Sequence, residues 1–343
     1  MIRRCCLPLL ALVCLPGCDR PGQGSLADAN RPPDSSGGPD ARAVQRDGPR
    51  DSGDGDRSAR DGAHADAGST LATVPFADTF LAKANIGVAC TKTVDIAGRE
   101  PTAGQSYPVF IWTPGTGGTA SAVTETALAR AMSERGFVAA AVDYNTLANI
   151  ADMNCDKIKA KASCVYDPSK PGGAVARLCA RPKADCSKGI VVAGLSQGSF
   201  MAMLAKNYDS RVRAAYVLGA GNDQASTFFE DMSLCLNDGN RSLPGDRLRA
   251  VNGENDANWV NQQQQLEAIT GQKCAAGAKQ CLRANGSGWY VVADSQVQDG
   301  SADHCYHVVG GCSNTSPLDP GYSAGSDPWA MKPNLDWLAG FAD

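Results

Sequence analysis

Gly189-Ile190-Val191-Val192-Ala193-Gly194-Leu195-Ser196-Gln197-Gly198-Ser199-Phe200-Met201-Ala202-Met203-Leu204 reads as an apolar β-branched run, a Gly-x-Ser-x-Gly turn and a helical segment in immediate succession. Clustered Ile and Val favour a buried strand, and Phe200, Met201, Met203 and Leu204 give the segment after the turn an apolar helical face. The serine between them is held on a sharp turn, with Gly194 and Gly198 leaving room for the backbone to close. In a chain with 37 glycines the pentapeptide alone is weak, so the strand before it and the helix after it carry the inference. Ser196 is therefore the expected nucleophile.

Outward from this stretch the chain alternates strands and helices. Tyr107 to Trp112 is a buried-strand pattern that runs into the Gly-rich loop Thr113 to Thr119. Such a loop can aim a backbone N–H at a developing oxyanion. A phosphate-binding loop would need a following Gly-Lys-Ser/Thr, which is absent. Ala127 to Gly136 predicts a helix with a glycine stop and Phe137 to Tyr144 the next strand, an order that implies parallel pairing. Residues 145–188 form a longer connection with four cysteines and a helix near Gly173 to Cys179, read either as a stapled insertion beside the site or as surface decoration. Further strands are expected at Val212 to Gly221, from Arg247 into the loop at Asp256, and at Trp289 to Ala293, with a closing helix at Asn334 to Phe341. The expected class is α/β, with a mostly parallel central sheet, helices on both faces and disulfide staples.

A serine hydroxyl is a weak nucleophile and needs a base, which in turn needs an acid to fix its tautomer. The chain has only three histidines, His64, His304 and His307. His64 lies in a low-complexity segment, so the base is His304, the first histidine after the last strand, with His307 as the alternative. Asp256, three residues after Gly253, is the expected acid; Glu254 is the alternative and Asp223 a third candidate. The oxyanion hole is assigned to the backbone N–H groups of Gln197 and Thr116. This chemistry calls for no metal and no cofactor.

The N terminus carries an address. Met1-Ile2-Arg3-Arg4 is a charged start, and Leu7 to Leu15 is apolar but too short to span a bilayer. Residues 1–18 are read as a signal peptide ending at Leu15-Pro16-Gly17-Cys18, which resembles a bacterial lipobox with Cys18 as the lipidated residue. Residues 19–69 are rich in Asp, Arg, Gly, Ser and Pro, and such a segment is expected to act as a disordered tether. The folded domain is placed at 70–343. The reading is thus of an exported lipoprotein, held at a membrane by its N-terminal lipid alone and facing the periplasm or the cell surface. A net charge of −4, and no basic run with interleaved aromatics, argues against a nucleic-acid partner. A monomer is expected.

Of 14 cysteines, ten lie in the domain, an even number suited to a disulfide framework in an exported chain. Shared spacing pairs Cys179 with Cys186, Cys274 with Cys281 and Cys305 with Cys312. The slightly longer spacing pairs Cys155 with Cys164, and Cys90 is left for Cys235. With no Cys-x-x-Cys and almost no histidine, zinc is the weaker reading.

From about Val109 to Phe341 the chain resembles the α/β-hydrolase superfamily. Pro114-Gly115-Thr116, Gly136-Phe137-Val138 leading to Asp143-Tyr144-Asn145-Thr146, and Gly194-Leu195-Ser196-Gln197-Gly198 resemble the cutinase, polyester hydrolase and related esterase group. The resemblance implies hydrolysis of a small-molecule or polymeric carboxylic ester through an acyl-enzyme, without metal or cofactor. Thr116 stands where polyester hydrolases commonly carry an aromatic, and the 145–188 segment and the extra cysteines depart from the compact members. A serine peptidase of the same fold and a non-catalytic surface binding protein are the alternatives.

Overall fold

The computed structural model describes residues 70–83, 89–144, 153–222 and 231–342. In chain order these form β1 (Thr73–Lys83), β2 (Cys90–Pro101), β3 (Val109–Thr113), α1 (Val123–Glu134), β4 (Val138–Val142), α2 (Cys155–Tyr166), α3 (Ala174–Cys179), β5 (Ile190–Leu195) and α4 (Gln197–Leu204). They continue with β6 (Val212–Leu218), α5 (Ser233–Leu236), β7 (Leu248–Gly253), α6 (Gln262–Thr270), β8 (Gln280–Leu282), β9 (Gly288–Val292), α7 (Pro320–Ala324) and α8 (Met331–Ala339).

The strands make one sheet in the order β1-β2-β4-β3-β5-β6-β7-β9-β8. From β4 to β9 neighbours are parallel. β1 and β2 at one edge and β8 at the other run antiparallel. A parallel core that crosses over between β4 and β3, entered from an antiparallel β2, is the α/β-hydrolase fold.

The core follows from a period-two alternation in strands that are apolar on both faces. Val109, Ile111, Ile190 and Val192 point to one face, where they meet Ile158, Val165, Phe200 and Leu266 of α2, α4 and α6. Phe110, Trp112, Val191 and Ala193 point to the other, against Leu128, Met132, Leu335 and Leu338 of α1 and α8. The Gly-x-Ser-x-Gly turn, an elbow at Ser196 between β5 and α4, thus leaves the middle of a sheet covered on both sides.

Four features differ from the sequence reading. β1, β2 and α2 were not expected, and α1 starts at Val123 rather than Ala127. The described part of the 145–188 segment is no surface decoration, since Ile158, Ala162, Val165, Val175 and Leu178 of α2 and α3 are core residues. Three short disulfides join the cysteines expected from their spacing, Cys179–Cys186, Cys274–Cys281 and Cys305–Cys312. The other two exchange partners, as Cys90–Cys164 and Cys155–Cys235, with Cα separations of 5.7 and 5.9 Å. The reason is α2 itself. Cys155 and Cys164 sit nine residues apart in one helix, about 13.5 Å by helical rise, well beyond disulfide reach.

Candidate active site

Ser196 links the end of β5 to the start of α4 with φ 53° and ψ −121°. A non-glycine residue there is strained by roughly 1–3 kcal/mol, and its surroundings hold it in place. Its N–H donates to Leu218 O at the end of β6 (2.9 Å), and its carbonyl accepts from the Ser199 N–H (2.9 Å) and hydroxyl (2.5 Å). Gly194 and Gly198 are required by close approach: a Cβ on Gly194 would strike the Gly198 backbone, and one on Gly198 would strike the Thr113 carbonyl. The Thr113 hydroxyl bonds Gly198 O (2.8 Å) and Ala193 O (3.2 Å), tying the end of β3 to both sides of the turn.

Asp256 and His304, the expected acid and base, lie on loops after β7 and β9. Asn255 N donates to Ala302 O (2.9 Å), which draws the two loops together. His304 Nδ1 lies 2.7 Å from Asp256 Oδ2. Asp256 is 2% exposed, and its second oxygen accepts from Asn258 N at 3.0 Å. A buried carboxylate on Nδ1 sets the tautomer and leaves Nε2 as the proton acceptor. The imidazole packs on Gly219, where a Cβ would come within 2.7 Å of Cε1. Ser196 and His304 therefore flank the same turn at the end of β6, whose Leu218 carbonyl holds the serine. The Ser196 hydroxyl bonds no described residue.

The alternative residues are engaged elsewhere. Glu254 accepts from Lys279 Nζ (2.7 Å) and Asp294 N (2.6 Å), contacts that hold its carboxyl below the usual range, the lysine first. His307 is 2% exposed, between the rings of Tyr306 and Tyr322, and burial, followed by the nearby His304, pushes it down to about 3. It is a neutral core histidine. Asp223, His64 and Cys18 lie outside the described residues.

The Gly115–Gly118 loop adjoins the serine, since a Cβ on Gly115 would sit 3.4 Å from the Ser196 Cβ. Tyr144 Oη donates to Pro114 O (2.7 Å) at the root of this loop. Neither the Gln197 N–H nor the Thr116 N–H has an acceptor among the described residues, as expected for the first turn of α4 and for an exposed loop.

Sequence reasoning missed Lys161 of α2. It is 4% exposed and donates to Gln197 Oε1 (2.7 Å), while Gln197 Nε2 donates to Thr116 Oγ1 (3.2 Å). The residues on either side of the serine are thereby joined through side chains to a buried cation. The only signal in the sequence is a lysine on the apolar face of a helix that was itself not expected.

Beside the elbow is a cavity of about 250 Å³ lined by Gly115, Thr116, Leu195, Glu125, His307 and Val308 among others. The Cys305–Cys312 loop closes one side of it. Among the described residues no group of three or more His, Cys, Asp or Glu gathers to hold a metal, and no helix is long and apolar enough to cross a membrane.

No protein-family model and no curated protein sequence matches the chain. Among solved structures it is similar to a Klebsiella pneumoniae protein described as a dienelactone hydrolase, at 16% identity and TM-score 0.43 over 78% of this chain and 98% of that one. It is also similar to a cold-adapted esterase from an Arctic intertidal metagenomic library, at 17% identity and TM-score 0.45 over 80% and 96%. Likeness at this level carries no functional weight, and the fold follows from the strand order.

Proposed function

We propose that the chain is a serine hydrolase that cleaves carboxylic esters through an acyl-enzyme. The observation that carries the reading is the 2.7 Å contact between His304 Nδ1 and buried Asp256, on a ring packed beside the strained Ser196 turn. In this scheme His304 Nε2 takes the Ser196 proton as the hydroxyl oxygen attacks the ester carbonyl. Asp256 stabilises the imidazolium that forms, and the backbone N–H groups of Gln197 and Thr116 receive the oxyanion. The imidazolium returns its proton to the departing alcohol. Water, activated by the same imidazole, then releases the acid and restores the serine.

A cavity of about 250 Å³ with several polar residues in its wall favours a small acyl or alcohol group over a long chain. Five disulfides fit an exported protein, and we place it as a lipoprotein anchored through Cys18.

The test is hydrolysis of p-nitrophenyl acetate, butyrate and decanoate by wild type and Ser196→Ala, with mapping of a fluorophosphonate label. The expected result is turnover of the short esters, loss in the variant and labelling at Ser196. An inactive folded wild type, equal activity in the variant or a label on another residue overturns the proposal.

A further inference from the structure

The end of the sheet opposite Ser196 carries a feature that ester hydrolysis does not use. A cavity of about 450 Å³ opens at the N-terminal ends of β5, β6 and β7, lined by Lys188, Lys206, Arg213, Pro244, Arg247 and Phe341. Four of its six lining residues are cations, and no carboxylate is among the described residues that line it. The overall charge is negative, so such a cluster runs against the protein's average.

The cations come from separate elements: the turn before β5, the turn after α4, β6 itself and the turn before β7. They are scattered over about sixty residues of sequence, which is why no basic run announces them. Lys206 is fixed by hydrogen bonds to the Ser210 (3.0 Å) and Val212 (2.8 Å) carbonyls. Burial pulls its ammonium below the usual range, and the charges of Arg213 and Arg247 pull it further, which places all three within electrostatic reach. Asp209 also acts on Lys206 but is already held by Arg211, through contacts of 2.7 to 3.2 Å. The Arg247 guanidinium is seated over the Phe341 ring, 4.8 Å from its centroid. Like charges gathered in a concavity repel one another, and a multiply charged anion relieves that repulsion while collecting several charge-assisted hydrogen bonds.

We propose that this cavity is a binding site for a multiply charged phosphate group, carried by a soluble phosphate compound or by a phospholipid headgroup. Its size falls within the range of small-molecule sites rather than that of a single-ion niche. The site lies at the opposite end of these strands from Ser196, so it binds independently of ester hydrolysis.

The full chain and its Arg213→Gln/Arg247→Gln variant are compared by calorimetry and thermal melting with pyrophosphate at constant ionic strength. They are compared again by flotation with phosphatidylcholine vesicles with and without phosphatidic acid, whose phosphomonoester can carry a second charge. The expected result is saturable pyrophosphate binding that raises the melting temperature of wild type and is weakened by at least about tenfold in the variant. Without ligand the variant melts close to wild type, the relieved repulsion offsetting the lost contact of Arg247 with the Phe341 ring. Stronger flotation of wild type than of the double variant, seen with the anionic vesicles alone, assigns the phosphate to a lipid; pyrophosphate binding without that difference assigns it to a soluble compound. Two results overturn the proposal: equal pyrophosphate binding by both chains, or no pyrophosphate binding together with equal flotation.

Discussion

The Lys161 ammonium donates to the Gln197 side-chain carbonyl at 2.7 Å, and both residues are buried. Gln197 in turn donates to Thr116, so a cation on α2 restrains both residues assigned to the oxyanion hole. Lys161→Met keeps the aliphatic stem and removes the donor. It is expected to lower kcat by about ten- to a hundredfold, with a smaller change in KM, because displacement of groups around a reaction centre acts mainly on the transition state. Gln197→Leu should cost a similar factor, and the double variant little more than either single one, the signature of one chain of contacts. Steady-state kinetics on the short esters checks this.

Asp256→Asn retains the shape of the acid but presents the wrong hydrogen-bonding partner to His304 Nδ1. A loss of roughly 10³–10⁴-fold in kcat is expected, with a melting temperature close to wild type. Glu254→Gln breaks the contact with Lys279 and should leave kcat within about twofold, since a half-exposed ion pair is worth only ~1 kcal/mol or less. Parallel assays of the two variants separate the acid from its neighbour.

His304→Ala should abolish turnover, whereas His307→Phe should spare much of it and alter stability instead. Burial holds His307 at about 3, so between that value and its ordinary 6.5 the unfolded chain binds a proton that the folded chain refuses. Stability is therefore lost as pH falls through this window, by up to a few kcal/mol. Glu125 acts in the opposite sense, since burial raises its carboxyl and its contribution weakens as pH rises above the ordinary 4.5. Urea titrations of wild type and His307→Phe between pH 7 and 4 isolate the histidine, and the variant should show the shallower acid decline.

Two disulfides should respond differently to removal. Cys90–Cys164 closes a 74-residue separation, and chain-entropy reasoning gives about 4 kcal/mol for it, against about 2 kcal/mol for the seven-residue Cys305–Cys312 closure. The short one begins at the residue after His304. Replacing both of its cysteines by serine should cost more activity and less stability than replacing Cys90 and Cys164, as read by kcat and chemical denaturation.

The sheet centre and the serine turn were legible because local chemistry dictates them. The Ile190-Val191-Val192 run makes the central strand, and Gly194 and Gly198 occupy places where a Cβ has no room. The contact between Asp256 and His304 agrees with their positions after strands and with the scarcity of histidine. The role of α2 was not legible. Its apolar residues are interrupted by Lys157, Lys159 and Lys161, and only the tertiary structure tells which lysine points inward. The basic cavity was hidden for a related reason: its members become neighbours only when parallel strands align their first residues. Disulfide spacing was informative where seven residues form a loop and misleading where nine form a helix.

That last contrast bears on how the chain becomes oxidised. Cys90–Cys164 and Cys155–Cys235 overlap in sequence, each closing across an end of the other, so neither loop can be completed as a self-contained unit. In an unfolded chain the nearest competitor, Cys155 with Cys164, closes a far shorter loop and is entropically favoured. Once α2 is wound, its own length holds these two thiols apart and leaves each to a distant partner. The wound helix is thus incompatible with the short closure, and the same helix presents Lys161 to Gln197.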